Sequence, residues 1–269
     1  MLIAKIIVKI NLLFSDLKSE FRIWRKIRFP KNNEPLDILL QSVSDYKKNI
    51  LSTIQKKDID LVEQSRQLML KSDKNITKQE YGSGSKVFEN NASEESISSV
   101  CRIASKKKSA ALVLYHLLRN QKPEHAVELG TCLGISAAYQ GVALKANGKG
   151  KLITIEGSPG RAIFATENVH ELGLEKYVEV IQGRFQDVLE HQLQKLPFVD
   201  FAFIDGHHQE DATLKYYQQL LPWFKKGGIM VFDDIFWSAG MNRAWQTIKK
   251  SGNFSAVMEY KGMGFVITD

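Results

Sequence analysis

The segment Phe201 to Asp211 reads FAFIDGHHQED. An apolar run stops at Asp205, and Gly206 leads into two adjacent histidines, His207 and His208. Carboxylate and imidazole side by side can hold a metal ion, pass a proton, or simply fill a polar turn. A second apolar run, GGIMVFDD, ends in Asp233 and Asp234. If the two runs are neighbouring parallel strands, their ends lie roughly 5 Å apart and the three carboxylates can converge. Like charges that close repel, so either a cation joins them or their pKa values rise. Oxygen-only donors suit Mg2+, Ca2+ or Mn2+. Asp is also a preferred N-cap, so Asp233 or Asp234 could instead cap the helix that follows.

The elements that must position these residues are legible from about residue 125 onward. The apolar runs HAVEL, KLITIE, YVEVI, VDFAFID and GGIMVFDD alternate with amphipathic segments. That rhythm predicts a parallel sheet covered by helices on both faces, with right-handed crossovers. FSAVMEY, a turn around KGMG, and FVITD predict a closing antiparallel hairpin. Open sheets of this kind bind ligands beyond the carboxyl ends of their strands.

Three further strand ends carry candidate residues. After the first comes ELGTCLGIS, Glu128 to Ser136, in which Gly130 and Gly134 allow a tight turn and close backbone approach. The helix that follows points free N–H groups at an anion, and Ser136 adds a hydroxyl. The glycine spacing is G-x-x-x-G, not the G-x-G-x-x-G of dinucleotide enzymes. The second strand ends at Glu156, placed 26 residues after Gly130, where an acid can accept both hydrogen bonds of a ribose diol. The third leads to GRFQD, in which Phe185 could stack on an adenine and Gln186 bond its edge, although Phe185 is equally plausible as core.

With these motifs in order, the segment 94–269 resembles a class I S-adenosylmethionine-dependent methyltransferase. More narrowly, it is similar to the cation-dependent O-methyltransferases of the catechol and macrocin types. VELGTCLGIS, GRFQD, IDGHH and VFDDI carry the resemblance. It implies a Rossmann-like seven-stranded sheet with an antiparallel terminal hairpin, preceded by an N-terminal helical extension. It also implies S-adenosyl-L-methionine and a divalent cation, Mg2+, as cofactors, and a small-molecule or sugar hydroxyl as methyl acceptor. Glu128, Gly130, Thr131, Gly134, Ser136, Glu156, Gly157, Phe185, Gln186 and Asp205 would face the cofactor; Asp205, Asp233 and Asp234 would hold the cation. The catechol enzymes place a lysine base three residues after the first metal acid, where this sequence has His208. The macrocin-like group favours an acid two residues after, where it has His207. The sequence departs from both patterns here; an imidazole can take the proton, so His208 is the expected base, with His207 second, and either could instead be a loop histidine or a metal ligand. Phe236, Trp237 and Tyr81 are candidate acceptor-pocket aromatics.

Residues 1–73 read as a helical extension broken near Pro30 and Pro35, and 74–93 as a linker or lid loop containing YGSGSKVF. The net charge is +7, but residues 1–35 hold eight Lys/Arg against three acids, so the remainder carries only about +2. No nucleic-acid partner is expected from that balance. Residues 1–31 suit a helix packed on this chain or on a partner, as in a homo-oligomer, or a peripheral membrane anchor. Cys101 and Cys132 form no C-x-x-C pair, which points to reduced thiols and a cytoplasmic, or membrane-associated, protein. The competing readings are an NAD-dependent dehydrogenase and an inactive membrane-associated protein that binds the same cofactor.

Overall fold

Strict alternation puts the acid-bearing runs in the middle of a sheet. In the computed structural model, which describes residues 22–24, 34–78, 94–252 and 254–269, every residue of Val199–Ile204 is buried. In chain order the elements begin with Arg22–Trp24 (β1), Glu34–Lys47 (α1), Thr53–Leu70 (α2), Asn75–Thr77 (β2) and Glu94–Ser96 (β3). Helices Ile97–Ala104 (α3) and Lys108–Gln121 (α4) follow. Then come His125–Leu129 (β4), Ile135–Asn147 (α5), Lys151–Glu156 (β5), Pro159–Glu171 (α6), Val178–Gln182 (β6) and Phe185–Leu193 (α7). Val199–Ile204 (β7), Glu210–Leu220 (α8), Phe224–Phe232 (β8), Ala239–Lys250 (α9), Phe254–Tyr260 (β9) and Met263–Thr268 (β10) complete the chain.

The sheet order is β1-β9-β10-β8-β7-β4-β5-β6. Strands β4 to β8 pair in parallel, and β10 runs antiparallel between β8 and β9. The expected seven-stranded, mostly parallel sheet is therefore present as β4 to β10. Strand order reverses between β4 and β7, which makes a crevice at their carboxyl ends. Two cores flank the sheet. Phe201 and Phe203 pack on one side with Val62, Leu114 and Ala138. Ala202 and Ile204 pack on the other with Tyr216, Phe232 and Trp245. Successive strand side chains point to opposite faces, so one strand feeds both cores.

The N-terminal part departs from the helical expectation at its start. Arg22–Trp24 pairs antiparallel with Val257–Glu259 as an eighth, edge strand. The open edge of β9 offers unpaired backbone groups, and strand pairing satisfies them. Asn75–Thr77, inside the expected linker, likewise pairs antiparallel with Glu94–Ser96. Helix α2 starts with a capping box, Ser52 with Gln55. It is tied to the sheet domain by Tyr139 Oη donating to Glu63 at 2.8 Å and Ser65 Oγ donating to Asn168 at 2.5 Å. Tyr81, the YGSGSKVF stretch and most of the basic N-terminal segment lie outside the described residues. Among the described residues, no helix is long and apolar enough to cross a membrane.

Gly130 fixes how closely β4 and β7 approach. Its φ is +108°, and a Cβ there would come within 2.2 Å of the Asp205 carbonyl oxygen. Gly130→Ala is expected to lower unfolding free energy by about 2 kcal/mol or more, through overpacking and left-handed strain together. Urea denaturation measures this.

Candidate active site

Beyond the strands, backbone hydrogen bonds continue across the carboxyl ends. Gly130 N donates to Ile155 O at 3.0 Å, Asp205 N to Leu129 O at 2.8 Å, and Asp233 N to Ile204 O at 2.9 Å. These bonds bring Gly130, Asp205 and Asp233 onto one rim. Cys132, His207, His208 and Asp234 on that rim have φ of 53°, 65°, 45° and 50°. Left-handed backbone at such residues is strained, and strain of this kind concentrates where a structure must aim particular side chains.

On the β4–β5 side, Gly134 caps helix α5 with φ +84° and no side-chain cap bond. The first-turn N–H groups are thus left to the backbone and to any anion that docks there. Thr131 is fully buried, with its Oγ1 2.6 Å from Thr154 Oγ1. Glu128 is fully buried too. It accepts from Gln140 Nε2 at 2.7 Å and Thr154 Oγ1 at 2.5 Å, so it braces the loop from behind. Burial pushes its carboxyl up to about 7, against the opposing pull of bonds from Thr154, Ser136 and Gln140. Glu156 ends β5 and accepts from Cys132 N at 2.8 Å and Ser158 N at 2.9 Å. Those two bonds occupy about half of a carboxylate's acceptor sites, leaving lone pairs for a ligand diol. Burial raises the Glu156 carboxyl, while the Ser158 and Cys132 N–H groups lower it. Gly157 follows directly, half-buried. Arg161 on α6 makes a bidentate pair with Glu95, both contacts at 2.7 Å, and ties β3 to this corner.

Phe185 is a wall residue. Its ring is buried edge-on against His207 and Tyr216, with centroids 5.5 and 5.4 Å away, and a Cβ on Gly206 would strike it. The neighbouring Gln186 is exposed.

The acids separate into two groups. Asp205 Oδ2 lies 2.9 Å from Lys106 Nζ, and the Asp233 carboxylate contacts the same ammonium. Asp205 Oδ1 instead faces His208 Nε2 at 3.6 Å, and Asp234 Oδ2 stands 4.0 Å from that nitrogen. Asp205, His208 and Asp234 offer ligand atoms all within 4.8 Å of one another, a spacing a metal ion can bridge. Of the expected trio, Asp205 and Asp234 stand on the His208 side, while Asp205 and Asp233 share the Lys106 ammonium. Asp233, whose N–H donates to Ile204 O, is buried beside Lys106, while Asp234, at positive φ, is half-exposed beside His208. Neither aspartate caps α9. Ser238 does so, accepting from Met241 N at 3.1 Å.

The two histidines also part. His207 Nδ1 is 2.7 Å from Tyr216 Oη, and burial with the neighbouring His208 lowers its pKa. It packs in the wall with Phe185. His208 faces the carboxylates, with the exposed Trp237 ring 6.5 Å away. Phe236 is exposed beside it. Lys106 was not anticipated. In the run SKKKS nothing distinguishes it from Lys107 and Lys108, and only the fold selects it.

This sheet with its terminal antiparallel hairpin matches the Rossmann-like fold of class I methyltransferases. Residues 127–235 match the family described as a methyltransferase domain. The chain is 32% identical over 114 residues to a catechol O-methyltransferase of Niastella koreensis, covering 42% of this chain and 49% of that protein. It is 28% identical over 123 residues to a caffeoyl-CoA O-methyltransferase of Populus kitakamiensis, covering 45% and 51%. The chain thus spans about half the length of the curated relatives it matches. Among solved structures, the O-methyltransferase of Bacillus cereus in complex with SAH superposes with a TM-score of 0.58 at 17% identity, covering 87% of this chain and 100% of that one. The O-methyltransferase TomG of Streptomyces achromogenes, in complex with SAM, gives 0.54 at 21% identity, covering 62% and 82%.

Glu128 predicts a pH dependence. Its folded pKa of about 7 lies above its ordinary value of 4.5, so its contribution to stability is full below 4.5 and is lost as pH rises through 7. Between pH 6 and 8 that loss is roughly 1 kcal/mol. In Glu128→Gln the amide mimics the protonated acid, so the pH 6-to-8 decline in urea stability should shrink by that amount.

Proposed function

We propose that the chain transfers the methyl group of S-adenosyl-L-methionine to a hydroxyl oxygen of a small molecule or sugar, with a divalent cation at the acidic rim. The observation that carries this is the meeting of Asp205, His208 and Asp234 beside the Gly130 loop. The cofactor fits the donors present. The uncapped start of α5 suits its carboxylate, and Glu156 retains acceptor capacity for its ribose. The cation fits as well. One ammonium, Lys106, against three carboxylates leaves a negative excess that a divalent ion would balance, and the carboxylates of Asp205 and Asp234 are ordinary oxygen ligands for such an ion.

Bound at the start of α5 and at Glu156, S-adenosyl-L-methionine would supply an electrophilic methyl group to the acceptor oxygen and would leave as S-adenosylhomocysteine. Held in line, the reactants need little further ordering. A bound divalent ion would lower the pKa of the acceptor hydroxyl and orient it. His208 Nε2 takes the hydroxyl proton, and the carboxylates of Asp205 and Asp234 stabilise the imidazolium. His207 keeps Phe185 and Tyr216 in place behind the turn. Trp237 and Phe236 line the approach of the acceptor. A second reading for His208, favoured by its place among atoms within 4.8 Å of each other, is a third ligand to the ion.

Thermal-shift titration tests the cofactor: S-adenosylhomocysteine should raise Tm and NAD should not, whereas stabilisation by NAD alone would overturn the assignment. Methylation of phenol and sugar panels should fall at least tenfold in EDTA and in Asp234→Ala; full activity in both removes the cation from the mechanism. His208→Ala should lose about 100-fold or more in kcat while keeping its Mn2+ affinity. A matching loss of Mn2+ affinity would make His208 a ligand instead.

A further inference from the structure

Lys106 belongs to the turn between α3 and α4, outside residues 127–235 that match the methyltransferase family. Its ammonium nevertheless reaches the centre of the rim. It lies 2.9 Å from Asp205 Oδ2, contacts the Asp233 carboxylate, and sits 5.7 Å from the centroid of the Phe203 ring. The side chains of Lys106, Asp205 and Asp233 are only 12%, 12% and 5% exposed, so water screens these charges little. The neighbouring Lys107 and Lys108 are exposed. One oxygen of Asp205 is thus held by the chain's own cation, and the other faces His208 and Asp234.

We propose that Lys106 is a built-in counter-cation that sets the affinity of the rim for a divalent ion. It holds Asp233 out of the ligand set and confines the ion to the side of Asp205 Oδ1 and Asp234. The inference rests on the divalent-ion reading above. Its physical basis is the sharing of one carboxylate pair between two cations. A fixed positive charge a few ångströms from the ion reduces the field that attracts it, and in a weakly screened site this exceeds a tenfold effect on binding. Removing the ammonium frees both oxygens of Asp205 and the carboxylate of Asp233. It also leaves buried carboxylates without a partner, which destabilises the ion-free protein. A bound ion would then do what Lys106 does in its absence.

The test measures Mn2+ binding to the full chain, without acceptor or cofactor, from the EPR signal of free Mn2+. Lys106→Met should bind Mn2+ at least tenfold more tightly than the wild type. Its Tm should be lower in EDTA and should rise further on adding Mn2+ than that of the wild type. If Lys106→Met does not fold, the same comparison is made between Asp233→Asn and the double variant Lys106→Met/Asp233→Asn. The double variant loses one charge of each sign and so keeps the rim in balance. The tenfold tightening is expected there as well. Equal or weaker binding after loss of Lys106 overturns the inference and leaves the divalent-ion reading intact. Absence of Mn2+ binding in every variant overturns both.

Discussion

Three carboxylates stand at two neighbouring strand ends, and two of them, Asp205 and Asp233, are largely withdrawn from water. A fold that gathers such charges must supply positive charge or forgo ionisation. Here Lys106 supplies it, from a turn far away in sequence. The helices before the sheet are therefore more than a cover. α4 follows that turn directly, and α2 is bonded to α5 and α6 through Glu63 and Ser65, so the packing of this part fixes where the ammonium sits.

The other half of the rim rests on backbone. Gly130 brings its loop against the carbonyl of Asp205, and Glu156 ties the same loop to β5 through Cys132 N. Behind it, Glu128, Gln140, Thr154 and Thr131 form a buried polar brace. Residues in left-handed backbone conformation then direct the side chains that follow: the turn through His207 and His208 sends one imidazole into the wall and the other to the acids. The glycine loop and the acidic rim are thus neighbours because β4 and β7 are paired, and they are paired where the strand order reverses.

How much of this could be read in advance depends on the range of the interaction involved. The parallel strands, their crossovers and the closing hairpin follow from local periodicity and turn residues, because burial on both faces demands them. The edge strand Arg22–Trp24 and the β2–β3 pair do not, since a three-residue strand carries too little pattern and its pairing is settled by which edge lies open. Phe185 illustrates the same limit within the site. Its type suits an adenine platform or plain core alike, and only the fold shows the ring packed under Gly206 beside His207.

The amino-acid sequence by itself determined the sheet, the glycine loop after its first strand, and the acids at the ends of β5, β7 and β8, because strand periodicity places a residue at a strand end without knowledge of its neighbours. Only the tertiary structure decided which of those acids act together. Asp233 and Asp234 are adjacent in the chain, but one is buried beside Lys106 and the other is half-exposed beside His208. Charge partners are chosen by distance through space, and among three consecutive lysines only the packed fold brings one ammonium to 2.9 Å from Asp205.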